Sequence, residues 1–263
     1  MDLGLGGKVA LVAAASRGLG RAAAQELARE GAAVVICARN AEALEQARRE
    51  MAGATGAEIH AVVADVAERE GIEHVTTEAM RRFGRVDVLV TNAGGPPAGM
   101  FDTHQWDAWQ RAVDLTLRSV VELTRAVLPG MKERKWGRII SINSIAAKQP
   151  VDNLMLSNSV RAAITGFLRT LATEVAVRGI TVNSILPGYT LTERIDELAT
   201  ATAARDGVPP SEVLARIANE IPMRRLGDPS ELGALTAFLA SERAAYITAQ
   251  AIAVDGGWIR ALM

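Results

Sequence analysis

The first residues able to do chemistry are Ala14, Ser16, Arg17, Gly18, Leu19 and Gly20, between the apolar run Val9 to Val12 and a helical pattern from Arg21 to Glu30. A buried strand that turns sharply into a helix leaves free N–H groups and the positive end of the helix dipole above the sheet, which suits a pyrophosphate. A dinucleotide-binding turn wants three small positions, for the turn, for close backbone approach and for helix–strand packing. Here Ala14 fills the first, and Gly18 and Gly20 keep the other two. The three histidines, His60, His74 and His104, have no ligand-like spacing, so no metal site is expected.

The elements that must position this turn repeat its strand-then-helix pattern. Ala32–Ala38 is an all-apolar run, as expected of a strand buried on both faces, and Glu58–Ala64, Val86–Val90, Gly137–Ile142, Ile180–Leu186 and Ala251–Val254 read as further strands. Helical patterns fall between them, including two long ones, Trp106 to Leu128 and Leu156 to Val177. Seven strands alternating with helices predict an α/β fold, a doubly wound Rossmann-type and mostly parallel sheet with helices on both faces. No linker, repeat or low-complexity stretch divides the 263 residues, so a single domain over 1–263 is expected. Right-handed crossovers then bring Arg39, Asp65, Asn92, Ser144 and Pro187 to one edge of the sheet, where ligands of such folds bind.

Composition narrows the partners. A net charge of −1 argues against nucleic acid and against an anionic membrane surface. No apolar run approaches the roughly 18 residues of a membrane span, and the N-terminus does not read as a signal peptide. The one cysteine, Cys37, lies in an apolar strand, so a reducing, cytoplasmic setting is expected.

Taken in order, the turn Ala14–Gly20, Asp65-Val66, Asn92-Ala93-Gly94, Ser144, Asn183, Pro187-Gly188 and Asp255-Gly256-Gly257 resemble the short-chain dehydrogenase/reductase family over essentially the whole chain. Arg225-Leu226-Gly227-Asp228-Pro229 and Phe238-Leu239-Ala240-Ser241 resemble its 3-oxoacyl-[acyl-carrier-protein] reductase-like members. The resemblance implies a nicotinamide cofactor, a small-molecule carbonyl or alcohol substrate, and a homotetramer assembled through the two long helices and the C-terminal segment. It makes Asp65 an adenine contact, Asn92-Ala93-Gly94 a platform under the nucleotide, and Thr192 a contact of the nicotinamide carboxamide. The family's cofactor-selecting carboxylate is replaced by Ala38, with Arg39 after it. Arg39 and Arg17 are therefore expected to converge and favour NADP(H) over NAD(H) through its extra phosphate.

The family's catalytic Asn, Ser, Tyr and Lys align with Thr116, Ser144, Ser157 and Arg161, so only Ser144 keeps its identity. A phenol can be tuned towards neutrality by a neighbouring cation, whereas a serine hydroxyl is a poor acid or base, and a guanidinium holds its proton. Arg161 could still hold the ribose hydroxyls. Tyr189, after Pro187-Gly188, is the candidate substitute proton donor, with Lys148 and Asp152 as lesser ones. The expected activity is hydride transfer between a carbonyl and an alcohol. The alternative is a redox-inactive nucleotide- or ligand-binding protein on the same fold.

The stretch 189–222 is longer than a plain connection. Leu198, Val208, Val213, Leu214, Ile217 and Ile221 suggest two short amphipathic helices around Pro209-Pro210, placed as a substrate lid. With Trp109, Leu154, Met155 and Leu156 nearby, an apolar pocket is expected beneath it.

Overall fold

The computed structural model describes residues 2–262. Seven strands form one sheet: β1 (Val9–Val12), β2 (Ala33–Ala38), β3 (Ile59–Val63), β4 (Val88–Thr91), β5 (Gly137–Ile142), β6 (Ile180–Pro187) and β7 (Ala251–Val254). Their order is β3-β2-β1-β4-β5-β6-β7, with every neighbouring pair parallel. The order reverses direction between β1 and β4, which is where a doubly wound sheet opens a crevice at its carboxyl edge.

The helices are α1 (Gly18–Arg29), α2 (Ala41–Thr55), α3 (Arg69–Phe83), α4 (Trp106–Ala112), α5 (Ser119–Arg134), α6 (Met155–Val175), α7 (Glu193–Asp206), α8 (Pro210–Glu220) and α9 (Pro229–Ala240). They cover the two faces of the sheet. Leu27, Leu44 and Leu232 pack on one side with Val12, Ile36 and Ile140, while Val75, Leu123 and Leu168 pack on the other with Leu11, Leu89 and Ile139. Side chains alternate faces along each strand, so strands with both faces covered are largely apolar, and buried exceptions such as Arg138 and Asn183 are hydrogen-bonded. Local chemistry fixes the helix starts: Asn40 accepts from the Ala43 N–H at 2.8 Å, and Asp228 with Glu231 forms a capping box on α9. Cys37 is buried in β2, and that burial pushes its thiol up to about 11, leaving it protonated and unreactive.

Two sequence expectations change. The helix expected over Trp106–Leu128 runs on to Arg134 through Pro129, with a π-helical turn at Val113–Arg118 joining α4 to α5. Pro129 lies on the solvent side, so the carbonyl it leaves without a helical donor faces water and the helix continues. On α7 the buried stripe is Ile195, Ala199 and Ala203, and Leu198 is exposed. Ala199, Ala203 and Val213 form a small core of their own between α7 and α8, with Val208, Leu214 and Ile217 packed against it.

Candidate active site at the carboxyl edge

The turn after β1 is held from both sides. Ala13 N–H bonds Val90 carbonyl at 3.0 Å, and Ala15 N–H bonds Cys37 carbonyl at 3.0 Å. Ala14 between them has φ +49°, a left-handed conformation that a side chain disfavours. Asn92 locks the turn by donating its Nδ2 to the Ala14 carbonyl at 3.2 Å. Gly18 opens α1, and no acidic residue occupies the first turn of that helix. A Cβ on Gly20 would lie 2.5 Å from the Ala14 oxygen and 2.6 Å from Asn92 Nδ2, so this glycine permits the close helix–turn contact. These residues fit a dinucleotide through a glycine cradle and a helix N-terminus with no carboxylate on its own first turn, although Glu193 Oε2 of α7 stands 3.9 Å from a Cβ position on Gly18. The strained Ala14 predicts that Ala14→Gly raises stability by about 0.5–1 kcal/mol, read as a shifted urea midpoint with an unchanged slope.

The two arginines do not converge. Arg39, 78 % exposed at the end of β2, lies 3.8 Å from Asp65. Arg17 instead reaches across to Glu197 of α7 at 3.6 Å, because its position as N-cap of α1 turns it towards that helix. Arg39 alone therefore faces the side of the cradle next to Asp65, whose other oxygen accepts the Ala67 N–H at 2.9 Å. Val66 is buried beside it, while Ala93 is half-buried and Gly94 exposed after β4. Thr192 sits opposite the turn, its methyl 3.6 Å from where a Gly18 Cβ would stand. Gly188 at the end of β6 has no room for a side chain, since a Cβ would lie 2.8 Å from Asp255.

A groove of about 590 Å³ lies beside α1 and shares Gly18 and Thr192 with the turn. Its walls carry both signs of charge, Arg21 and Arg29 against Glu193, Asp196 and Asp228.

Of the aligned catalytic positions, Ser157 and Arg161 touch on α6 and Arg161 reaches Asn143, the neighbour of Ser144 after β5, while Thr116 lies apart in the π-helical turn. Ser144 half-buried at the end of β5 accepts the Ala146 N–H at 3.1 Å through its Oγ. Arg161 Nε donates to Ser157 Oγ at 3.1 Å, one helical turn apart, and Nη1 donates to the Asn143 carbonyl at 2.6 Å. Ser157 and Arg161 are 8 % and 9 % exposed. Burial lowers the guanidinium to about 10, so it stays charged at neutral pH. Thr116 is buried in the π-helical turn, with its hydroxyl donating to the Ala112 carbonyl at 2.5 Å. Asn143 was not foreseen. Its side-chain amide donates to the Arg161 carbonyl at 3.1 Å and to Thr165 Oγ1 at 3.2 Å, clamping α6 to β5. A lone amide closing the apolar run Ile139–Ile142 was its signal in the sequence.

The substitute donors fare differently. Tyr189 is half-buried and edge-on to Trp258, with ring centroids 6.1 Å apart. Burial, with Glu220 and Asp152 nearby, raises its pKa, opposite to the tuning that proton exchange at neutral pH requires. Lys148 and Asp152 are exposed. Trp109 and Leu156 do not line a pocket under α7 and α8. They pack with Ala112 and Val160 between α4 and α6, because the π-helical turn brings those helices together.

The stretch over the site is stitched at both ends. Leu191 N–H bonds the Gly227 carbonyl and Gly227 N–H bonds the Tyr189 carbonyl, each at 2.9 Å. No helix among the described residues is long and apolar enough to cross a membrane.

Comparison with known proteins agrees with this geometry. A family model described as enoyl-(acyl carrier protein) reductase matches residues 13–259. The oxidoreductase UcpA of Escherichia coli strain K12 is 37 % identical over 254 residues, covering 96 % of this chain and 95 % of the relative. The 3-oxoacyl-[acyl-carrier-protein] reductase FabG of Vibrio cholerae is 36 % identical over 259 residues, covering 97 % and 98 %. Among solved structures, L-sorbose reductase from Gluconobacter frateurii, complexed with NADPH and L-sorbose, superposes with a TM-score of 0.96 at 37 % identity over the whole of both chains.

Proposed function

The chain belongs to the short-chain dehydrogenase/reductase family, and from that premise we propose that it is an NADPH-preferring oxidoreductase interconverting a small-molecule carbonyl and its alcohol. The observation that carries this reading is the cradle: Gly20 pressed against the Ala14–Asn92 contact under an open helix N-terminus, with Arg39 at the end of β2. Bound there, the cofactor supplies or takes a hydride.

The chain's own residues do the rest. Ser144 accepts the Ala146 N–H, so its own hydrogen is free to donate to a carbonyl oxygen and polarise it. Arg161 fixes Ser157, donating its Nε hydrogen to the serine oxygen and leaving the serine hydrogen to the cleft. The proton comes from water bound in the cleft, since neither a serine hydroxyl nor a guanidinium releases one readily. Helices α7 and α8, anchored through Leu191 and Gly227, act as a lid that limits water.

Titration of the protein with NADPH and NADH, followed by cofactor fluorescence, tests the reading. NADPH should bind at least tenfold more tightly, and Arg39→Asp should weaken NADPH about tenfold while changing NADH by less than about threefold. Binding of neither nucleotide would overturn the reading, and equal binding would remove the Arg39 preference. Replacing the raised phenol, Tyr189→Phe, should leave turnover within about threefold in a steady-state assay, whereas a donor would lose about a hundredfold.

A further inference from the structure

We propose that the substrate of this cleft carries a carboxylate, bound by Arg161 Nη2 and the Ser157 hydroxyl. The proposal deepens the oxidoreductase reading and rests on it for the cleft being a substrate site.

The first argument is charge. Buried charges elsewhere in this chain have opposite partners: Arg138, 2 % exposed, lies 3.5 Å from Glu242, and Asp87, fully buried, lies 2.7 Å from Arg85 and 3.4 Å from Arg134. Arg161 departs from this pattern. Its partners are the Ser157 hydroxyl and the main-chain and side-chain oxygens of Asn143, all neutral. No carboxylate among the described residues lowers the cost of its burial, which alone shifts its ionisation. An uncompensated buried cation is costly to keep, and an anionic ligand removes that cost on binding.

The second argument is the direction of the hydrogen bonds. Ser157 Oγ already accepts from Arg161 Nε, and Ser144 Oγ from Ala146 N, so each hydroxyl is left with a hydrogen to give. Nη2 has no partner among the described residues and is not fully enclosed, so it is the one guanidinium nitrogen left to donate. The corner thus offers donors. A ribose hydroxyl would satisfy one donor and leave the charge uncompensated, whereas a carboxylate only accepts, one oxygen from Nη2 and the other from the Ser157 hydroxyl. A phosphate accepts from a guanidinium in the same way, so inorganic phosphate is the competing anion in the test. Ser144 remains for the carbonyl to be reduced.

Calorimetric titration of the full chain with pyruvate and acetoacetate, each against its methyl ester, with and without saturating NADPH, tests this. The acids should bind at least tenfold more tightly than the esters. Arg161→Gln should weaken the acids tenfold or more and leave the esters unchanged. Should Arg161→Gln melt too low to assay, Ser157→Ala keeps the guanidinium and should still weaken the acids severalfold. Equal binding of acid and ester, no binding of either acid, variants without effect, or inorganic phosphate binding as tightly as the acids would each overturn the proposal. NADPH binding without carboxylate binding overturns this proposal alone. Carboxylate binding without NADPH binding overturns the oxidoreductase reading alone.

Discussion

The double variant Ser157→Tyr/Arg161→Lys is expected to reduce a small ketone or a 3-oxoacyl thioester about 10²–10⁴-fold faster than the native chain, followed as NADPH consumption. That range is what a positioned acid–base group contributes. The two positions are one helical turn apart on α6 and already in contact, so a phenol at one and an ammonium at the other would face the same cleft. The ammonium would lower the phenol's pKa, and the phenol could then exchange a proton at neutral pH, which the native serine does not. Ser144 is unchanged and still polarises the carbonyl. Melting and NADPH titration of the double variant show whether its fold and cradle survive a larger side chain at a buried position. A folded, NADPH-binding variant with no gain would mean the missing phenol is not what limits carbonyl reduction. That result would favour the rival reading, a ligand-binding protein that retains the family's cofactor cradle without its turnover. The same variant keeps a cation at 161 but removes Nη2 and the Ser157 hydroxyl, so its preference for carboxylic acids over their esters should shrink without vanishing.

The sheet was legible in the sequence because a strand covered on both faces is largely apolar along its length, and few other arrangements produce runs such as Val9–Val12 or Ala33–Ala38. The site positions were legible for a topological reason: in a parallel sheet every strand ends on one edge, so Arg39, Asp65, Asn92, Ser144 and Pro187 had to come together there. What the sequence did not show depends on contacts between distant elements. Arg17 turns to Glu197 because α7 lies over the turn, which no local pattern states. The stripe on α7 moves from Leu198 to Ala199 because small residues let α8 approach. Pro129 reads as a helix end until it is known to face solvent. The clamp from Asn143 to Arg161 and Thr165 joins positions 18 and 22 residues apart, and only the packing of α6 against the end of β5 reveals it.

Gly20→Ala is expected to abolish measurable NADPH binding and to destabilise the protein by about 3 kcal/mol or more. The added carbon would stand 2.5 Å from the Ala14 carbonyl oxygen, 3.1 Å from that of Ala13 and 2.6 Å from Asn92 Nδ2. Overpacking usually costs about 1–3 kcal/mol, because flexible side chains absorb part of it. Here two of the three obstacles are main-chain oxygens, and the backbone around them is tied to Val90 and Cys37 through Ala13 and Ala15. Nor can α1 retreat freely. On its other side it packs against α9, where a Cβ on Gly233 would lie 2.8 Å from the Ala22 carbonyl oxygen. With close contacts on both sides, a shift of α1 away from the turn would press it into α9. The strain falls where the helix N-terminus must meet a phosphate, so binding suffers beyond the loss of stability. Asn92→Ala in the Gly20→Ala background removes the side-chain obstacle and leaves the two carbonyls. It should recover only a small part of the stability and no nucleotide binding, as read by urea unfolding and cofactor fluorescence. Full recovery would show that Asn92 alone sets the spacing and that the backbone of the turn is free to yield. Ala14→Gly is the opposite case, since it relieves strain in the same turn without adding an atom. One seven-residue turn would thus hold a stabilising substitution and a disabling one, the first relieving a left-handed backbone and the second driving a methyl into a carbonyl oxygen.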